Sequence, residues 1–225
     1  MAPWVGAATC LTTEHTEDGE AKRQERPSSA ALAIGDPMTL PTIACVIPAY
    51  NREGFIGRAV RSALEQVSPP QEIIVVDDGS TDGTGSVVRE MGAQVRYIPQ
   101  ENAGGAEARN RGAREANSEW IAFLDSDDYW TPNHLKRVRE AIAGTQGRAD
   151  FYFANIRRSQ PEGGHDQWQQ AHFRLQEAWK LREDGQGWVL RPRIPMMLQA
   201  TVFHRQRFLQ KGGLRSGLKR RHDTH

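Results

Sequence analysis

Several things are scarce in this sequence, and each scarcity removes a class of protein. Its 225 residues include only two cysteines, Cys10 and Cys45, so no disulfide framework holds the chain together. Cys45 falls inside an apolar run and is expected to pack as a small hydrophobe. Charge of either sign is not in excess. The 29 Lys and Arg against 28 Asp and Glu leave no global field to draw nucleic acid or a membrane surface. The one distinctly basic stretch, residues 215–222, reads as a solvated terminus. No apolar run is long enough to span a bilayer, and the start has neither the basic nor the apolar part of a signal peptide. A cytoplasmic protein without a transmembrane segment is the expectation, with peripheral membrane contact left open. No internal repeat is visible. The length suits one α/β domain with a substantial core.

The first part of the chain has little to bury. Residues 12–29 are polar and charged, and such a segment cannot offset its own ordering entropy. Residues 1–38 are therefore read as a disordered N-terminal extension, with Met38 as the natural start.

From residue 42 onward, strand and helix patterns alternate. Thr42-Ile43-Ala44-Cys45-Val46-Ile47 is nearly all apolar, as in a strand buried on both faces. Ile56, Val60, Ala63, Leu64 and Val67 recur at helical spacing until Pro69-Pro70 stops them. Residues 72–76 form a second buried strand that ends in Asp77-Asp78-Gly79-Ser80. Asp82 or Thr81 can cap a helix running through Val87, Val88 and Met91, and residues 94–98 make a third strand. Gly104-Gly105 open a helix of small residues, which suits close approach to an anion. The fourth strand, residues 120–124, ends in three carboxylates within four residues, Asp125-Ser126-Asp127-Asp128. Thr131-Pro132 then begin a helix marked by Leu135, Val138 and Ile142. Residues 151–156 are a fifth strand. Beyond 157 the pattern weakens, with a short strand at 200–203 and a helix around Phe208-Leu209 ahead of Gly212-Gly213. The alternation predicts an α/β fold, a doubly wound, mainly parallel, Rossmann-like sheet with helices on both faces.

Two strands thus end in acids at the sheet edge where such folds bind ligands. Crowded carboxylates repel one another unless a cation lies between them, and hard divalent metals favour oxygen. One acid cluster can hold a metal that neutralises phosphate oxygens while the other accepts from a base or ribose. A solvated acidic turn is the plainer alternative. Other phosphate motifs are missing: there is no P-loop, and Gly83-Thr84-Gly85 has Val88 where a dinucleotide fingerprint needs glycine. Trp130 stands where an EF-hand loop needs glycine.

Four segments carry a family resemblance: Val46-Ile47-Pro48-Ala49-Tyr50-Asn51, Ile74-Val75-Val76-Asp77-Asp78-Gly79-Ser80-Thr81-Asp82, residues 102–110 with Ala108-Arg109-Asn110, and Phe123-Leu124-Asp125-Ser126-Asp127-Asp128. With these in this order, the chain resembles the family 2 nucleotide-sugar glycosyltransferases of GT-A fold. The resemblance implies an inverting transfer from a nucleotide-sugar, a UDP-sugar first, to a glycan, lipid-linked or small-molecule acceptor. It implies that Pro48, Ala49 and Tyr50 line the base pocket, Tyr50 by stacking, and that Asp78 accepts from a base N–H while Asp77 holds the turn. Gly104 and Arg109 would lie by the nucleotide, Asp125 and Ser126 by ribose and diphosphate. Asp127, supported by Asp128, would bind Mn²⁺ or Mg²⁺. Residues 39–157 would be the nucleotide-sugar-binding half and 158–225 a partial acceptor half. Gly212-Gly213-Leu214 matches the stretch that precedes the family's catalytic Asp, which makes Asp223 the candidate base. His222 stands where Glu is usual, and the helix that carries the base is absent, so a non-catalytic nucleotide-sugar-binding remnant is the alternative.

Overall fold

The computed structural model describes residues 8–11, 40–157, 167–170, 172, 179–182 and 197–216. Its centre is β2 (Ile43–Ala49), buried at every position. It is flanked by β3 (Glu72–Asp77) and β5 (Trp120–Phe123), both parallel to it. Alternate side chains of β2 enter different layers. Ile43, Cys45 and Ile47 pack with Ile56, Ala59 and Val60 of α1 (Ile56–Leu64) and with Leu135 and Val138 of α4 (His134–Gly144). Ala44 and Val46 face Ala108 and Ala113 of α3 (Gly105–Glu115). Helices on both faces are the reason this strand reads as one apolar run instead of an alternation.

The chain moves outward from β2 through β3 to β4 (Val95–Pro99), with α2 (Thr84–Glu90) as the crossover, then returns to place β5 on the other side of β2. That reversal is a topological switch point, and in doubly wound sheets the ligand crevice lies at such a point, here beyond the carboxyl ends of β2, β3 and β5. Pro48 belongs to this crevice. The last β2–β5 pairing is Val46 with Phe123, so Pro48 and Ala49 pair with β3 alone. A proline inside a central strand would break a ladder; here its missing N–H falls where β5 has already ended.

The far half of the sheet is mixed. β6 (Phe151–Ala154) and β5 both pair antiparallel with β8 (Thr201–His204), which α6 (Arg205–Gln210) follows. The full order is β4-β3-β2-β5-β8-β6-β1-β7, with β7 at Trp179–Arg182 and a short helix α5 at Gln167–Gln170. β1 (Ala8–Leu11) corrects the reading of residues 1–38 as disordered throughout, because it pairs parallel with β6 and antiparallel with β7. The polarity of residues 12–29 says nothing about these four, whose main chain completes the ladder that β6 leaves open. Residues 12–29, Met38, Phe173 and Trp188 lie outside the described residues.

Candidate functional site

The carboxyl ends of β2, β3 and β5 and the start of α3 meet at the switch point. Asp77 holds its own turn: Oδ1 accepts from the Ser80 N–H at 2.9 Å and Oδ2 from the Tyr97 hydroxyl at 2.6 Å. Burial, and then this carboxylate, push the Tyr97 hydroxyl up to about 12. Asp78 is buried and binds the glycine loop. Its Oδ1 accepts from Gln100 Nε2 at 2.7 Å and Ala103 N at 2.8 Å, and its Oδ2 from Gly104 N at 2.8 Å. Gly104 has φ +91°, ψ 155°, a conformation open essentially to glycine alone, so Asp78 and Gly104 together fix the entry to α3. With about four acceptor positions on a carboxylate, Asp78 retains roughly one for any other donor.

The neighbouring loops are tied together. Asn51, at φ +50°, donates its N–H to Ser80 Oγ at 2.9 Å and accepts the Thr81 N–H on Oδ1 at 2.8 Å. This joins the loop after β2 to the loop after β3. Pro48 and Ala49 are buried beneath it, whereas Tyr50 is 47% exposed at the crevice. Such a ring offers an apolar face for stacking.

Across the crevice the acids form a turn, closed by the Asp128 N–H donating to Asp125 O at 3.0 Å. Arg109, buried on α3, donates through Nη2 to Asp125 Oδ1. Ser126 is buried. Asp127 has a side chain 52% exposed, with Arg52 Nε 3.7 Å from its Oδ2. Arg58 Nη2 donates to the Asp127 carbonyl at 2.7 Å, and its guanidinium stacks over the Tyr129 ring at 4.8 Å. Asp128 has its carboxyl pushed above the usual range, first by burial and then by Asp125 and Asp127. Among the described residues, no group of three or more His, Cys, Asp or Glu is arranged to hold a metal ion by itself.

The structure therefore brings Pro48, Ala49, Tyr50, Asp78, Gly104, Arg109, Asp125, Ser126, Asp127 and Asp128 to one edge. Asp223 lies outside the described residues, but Gly212 and Gly213, at φ +88° and +68°, turn Leu214 back onto α3 beside Asn110. Sequence reasoning missed Arg52, Arg58 and Gln100. Arg58 is on the exposed side of α1, where an arginine carries no signal of its own. Gln100 closes on Asp78 only because β4 lies beside β3.

The family model described as "Glycosyl transferase family 2" matches residues 44–211. The succinoglycan biosynthesis protein ExoW of Rhizobium meliloti is 37% identical over 118 residues, covering 49% of this chain and 36% of that protein. The validoxylamine A glucosyltransferase of Streptomyces hygroscopicus subsp. limoneus is 34% identical over 149 residues, 64% of this chain and 31% of that one. In fold, the chain is similar to S. aureus TarS residues 1–349 solved with UDP-GlcNAc, at TM-score 0.62 and 20% identity over 81% of this chain and 51% of that chain. The chain spans well under half the length of the curated relatives it matches. No described helix is long and apolar enough to cross a membrane. With the family match extending from β2 through α6 and the four loop segments converging at the switch point, this chain belongs to glycosyl transferase family 2.

Proposed function

We propose that this chain binds a nucleotide-sugar, with a UDP-sugar as the leading donor, and transfers its sugar with inversion to a glycan, lipid-linked or small-molecule acceptor. The observation that carries the reading is the convergence on one crevice of an exposed Tyr50, the Asp78–Gly104 loop and the acidic turn. Tyr50 supplies a stacking face for the base. Asp78, rigid because Gln100, Ala103 and Gly104 hold it, offers its remaining acceptor position to a base N–H. Asp125 and Ser126 stand where ribose and diphosphate would lie. The relatives named as a succinoglycan biosynthesis protein and a validoxylamine A glucosyltransferase support sugar transfer, and the neighbour solved with UDP-GlcNAc supports the donor class.

Mn²⁺ or Mg²⁺ fits the donor set. Two adjacent carboxylates with phosphate oxygens and waters suffice for such ions, and burial, followed by repulsion from Asp125 and Asp127, already raises the Asp128 carboxyl. Asp127 and Asp128 would hold the ion, whose chemistry when bound is to neutralise charge on the departing diphosphate. Asp223 is the proposed base that takes the acceptor hydroxyl proton.

The test is release of nucleoside diphosphate from a panel of nucleotide-sugars, with acceptor and Mn²⁺ present. Wild type should release it, Asp127→Ala should not, and Asp223→Asn should lose transfer while still binding the nucleotide. Release that neither substitution changes would refute the proposed site.

A further inference from the structure

Arg109 is almost enclosed by protein and is tied first to the acidic turn. Its side chain is 7% exposed, and its partner Asp125 is 19% exposed. Nη2 donates to Asp125 Oδ1. Nη1 lies against the first turn of α3, where a Cβ on Gly105 would approach it to 3.2 Å. Nε is buried with no partner. The guanidinium is thus held between the glycine-opened turn of its own helix and one oxygen of Asp125.

Asp125 shows the complement of this. Its Oδ1 is fixed by Arg109, while Oδ2 has no protein donor among the described residues. A carboxylate anchored through one oxygen presents the other in a single direction, with its ordering cost met before a ligand arrives. The charge pairing also separates the two acids of the turn. Asp125 is neutralised by a buried arginine, whereas Asp127 is half exposed with its nearest arginine nitrogen 3.7 Å away. Asp127 is the better ligand for a cation, and Asp125 the better acceptor for a neutral hydroxyl.

We propose that Arg109 is a positioning residue that fixes Asp125 so that its free oxygen accepts a hydrogen bond from a ribose hydroxyl of the donor. This rests on the donor-site reading above and adds to the place beside the nucleotide that the motif implies for Arg109 a role exerted through Asp125.

The experiment compares binding of UDP with its 2′-deoxy and 3′-deoxy analogues, in Mn²⁺, to wild type, Arg109→Met and Arg109→Lys. In wild type, loss of the hydroxyl that Asp125 accepts should weaken binding by roughly tenfold or more, as for a hydrogen bond to a charged group. In Arg109→Met, with folding confirmed by thermal melt, that penalty should shrink below about twofold, because an unanchored Asp125 no longer presents its oxygen. Arg109→Lys keeps the charge and the stem without the planar fork, and should give an intermediate penalty. It also serves if the methionine variant does not fold. Weaker UDP binding with an undiminished deoxy penalty in both variants would overturn the proposal and return Arg109 to a direct or purely structural role. A wild type that binds UDP with no deoxy penalty would overturn it as well. A wild type that binds no nucleoside diphosphate would instead defeat the donor-site reading, and this inference with it.

Discussion

The side-chain amide of Asn110 closes a pair of hydrogen bonds with the main chain of Leu214. Nδ2 donates to Leu214 O and Oδ1 accepts from Leu214 N, both at 2.8 Å. The geometry imitates a rung between strands, yet it joins α3 to the loop that follows α6. Asn110 is buried and stands one residue along α3 from Arg109, so one helix turn secures both the acidic turn and the Gly-Gly-Leu segment.

Asn110→Ala removes both bonds and leaves two main-chain groups to find water or stay unpaired. The expected loss is about 2–3 kcal/mol. Urea unfolding tracked by far-ultraviolet dichroism would measure it, and a loss under about 0.5 kcal/mol would mean the Leu214 segment is held by other contacts.

Gly112 is required by distance, since a Cβ there would stand 2.3 Å from Val46 Cγ1. Gly112→Ala gains helix propensity but pushes α3 off β2, for a net cost of about 1–3 kcal/mol. Adding Val46→Ala makes room. The double variant should therefore lose less than the two single losses added together, by about 1 kcal/mol or more. Strict additivity would show that the helix does not rest on this contact.

His134 is buried against Trp130 at a ring separation of 4.9 Å, and burial, followed by Arg137, lowers its pKa to about 4. The unfolded chain takes up a proton near pH 6.5 that the folded chain refuses until about pH 4. Stability from this group is therefore complete above pH 6.5 and declines as the pH falls from there towards 4, by about 3 kcal/mol in all. His134→Phe keeps a ring and cannot titrate. Its unfolding free energy should fall less than that of wild type between about pH 7 and pH 4, and parallel curves would contradict the assignment.

How much of this could be read from the residues varies with the kind of interaction involved. The strands at the switch point were legible because helices on both faces leave β2 and β3 almost wholly apolar, and because β3 and β5 run abruptly into acids. The acidic turn and the glycine loop were legible as motifs. What each carboxylate does was less so. The motif implies an acceptor at Asp78 but not its loop contacts, in which it also grips Gly104, Ala103 and Gln100 from chain segments more than twenty residues away. Arg52 and Arg58 approach Asp127 through the packing of α1 and the loop before it, which local periodicity does not encode. β1 was missed because a four-residue strand added to a sheet draws on main-chain pairing more than on its own composition.

The claim on which the rest depends is that the acidic turn completes a metal-assisted nucleotide site. The direct measurement is titration calorimetry with UDP, with and without Mn²⁺, on wild type and Asp127→Ala. Binding that needs Mn²⁺ and weakens roughly tenfold or more in Asp127→Ala is the predicted result; a preference for GDP or dTDP over UDP would keep the site and change the donor. Binding indifferent to both the metal and Asp127, or no binding of any of the three nucleotides, would contradict it.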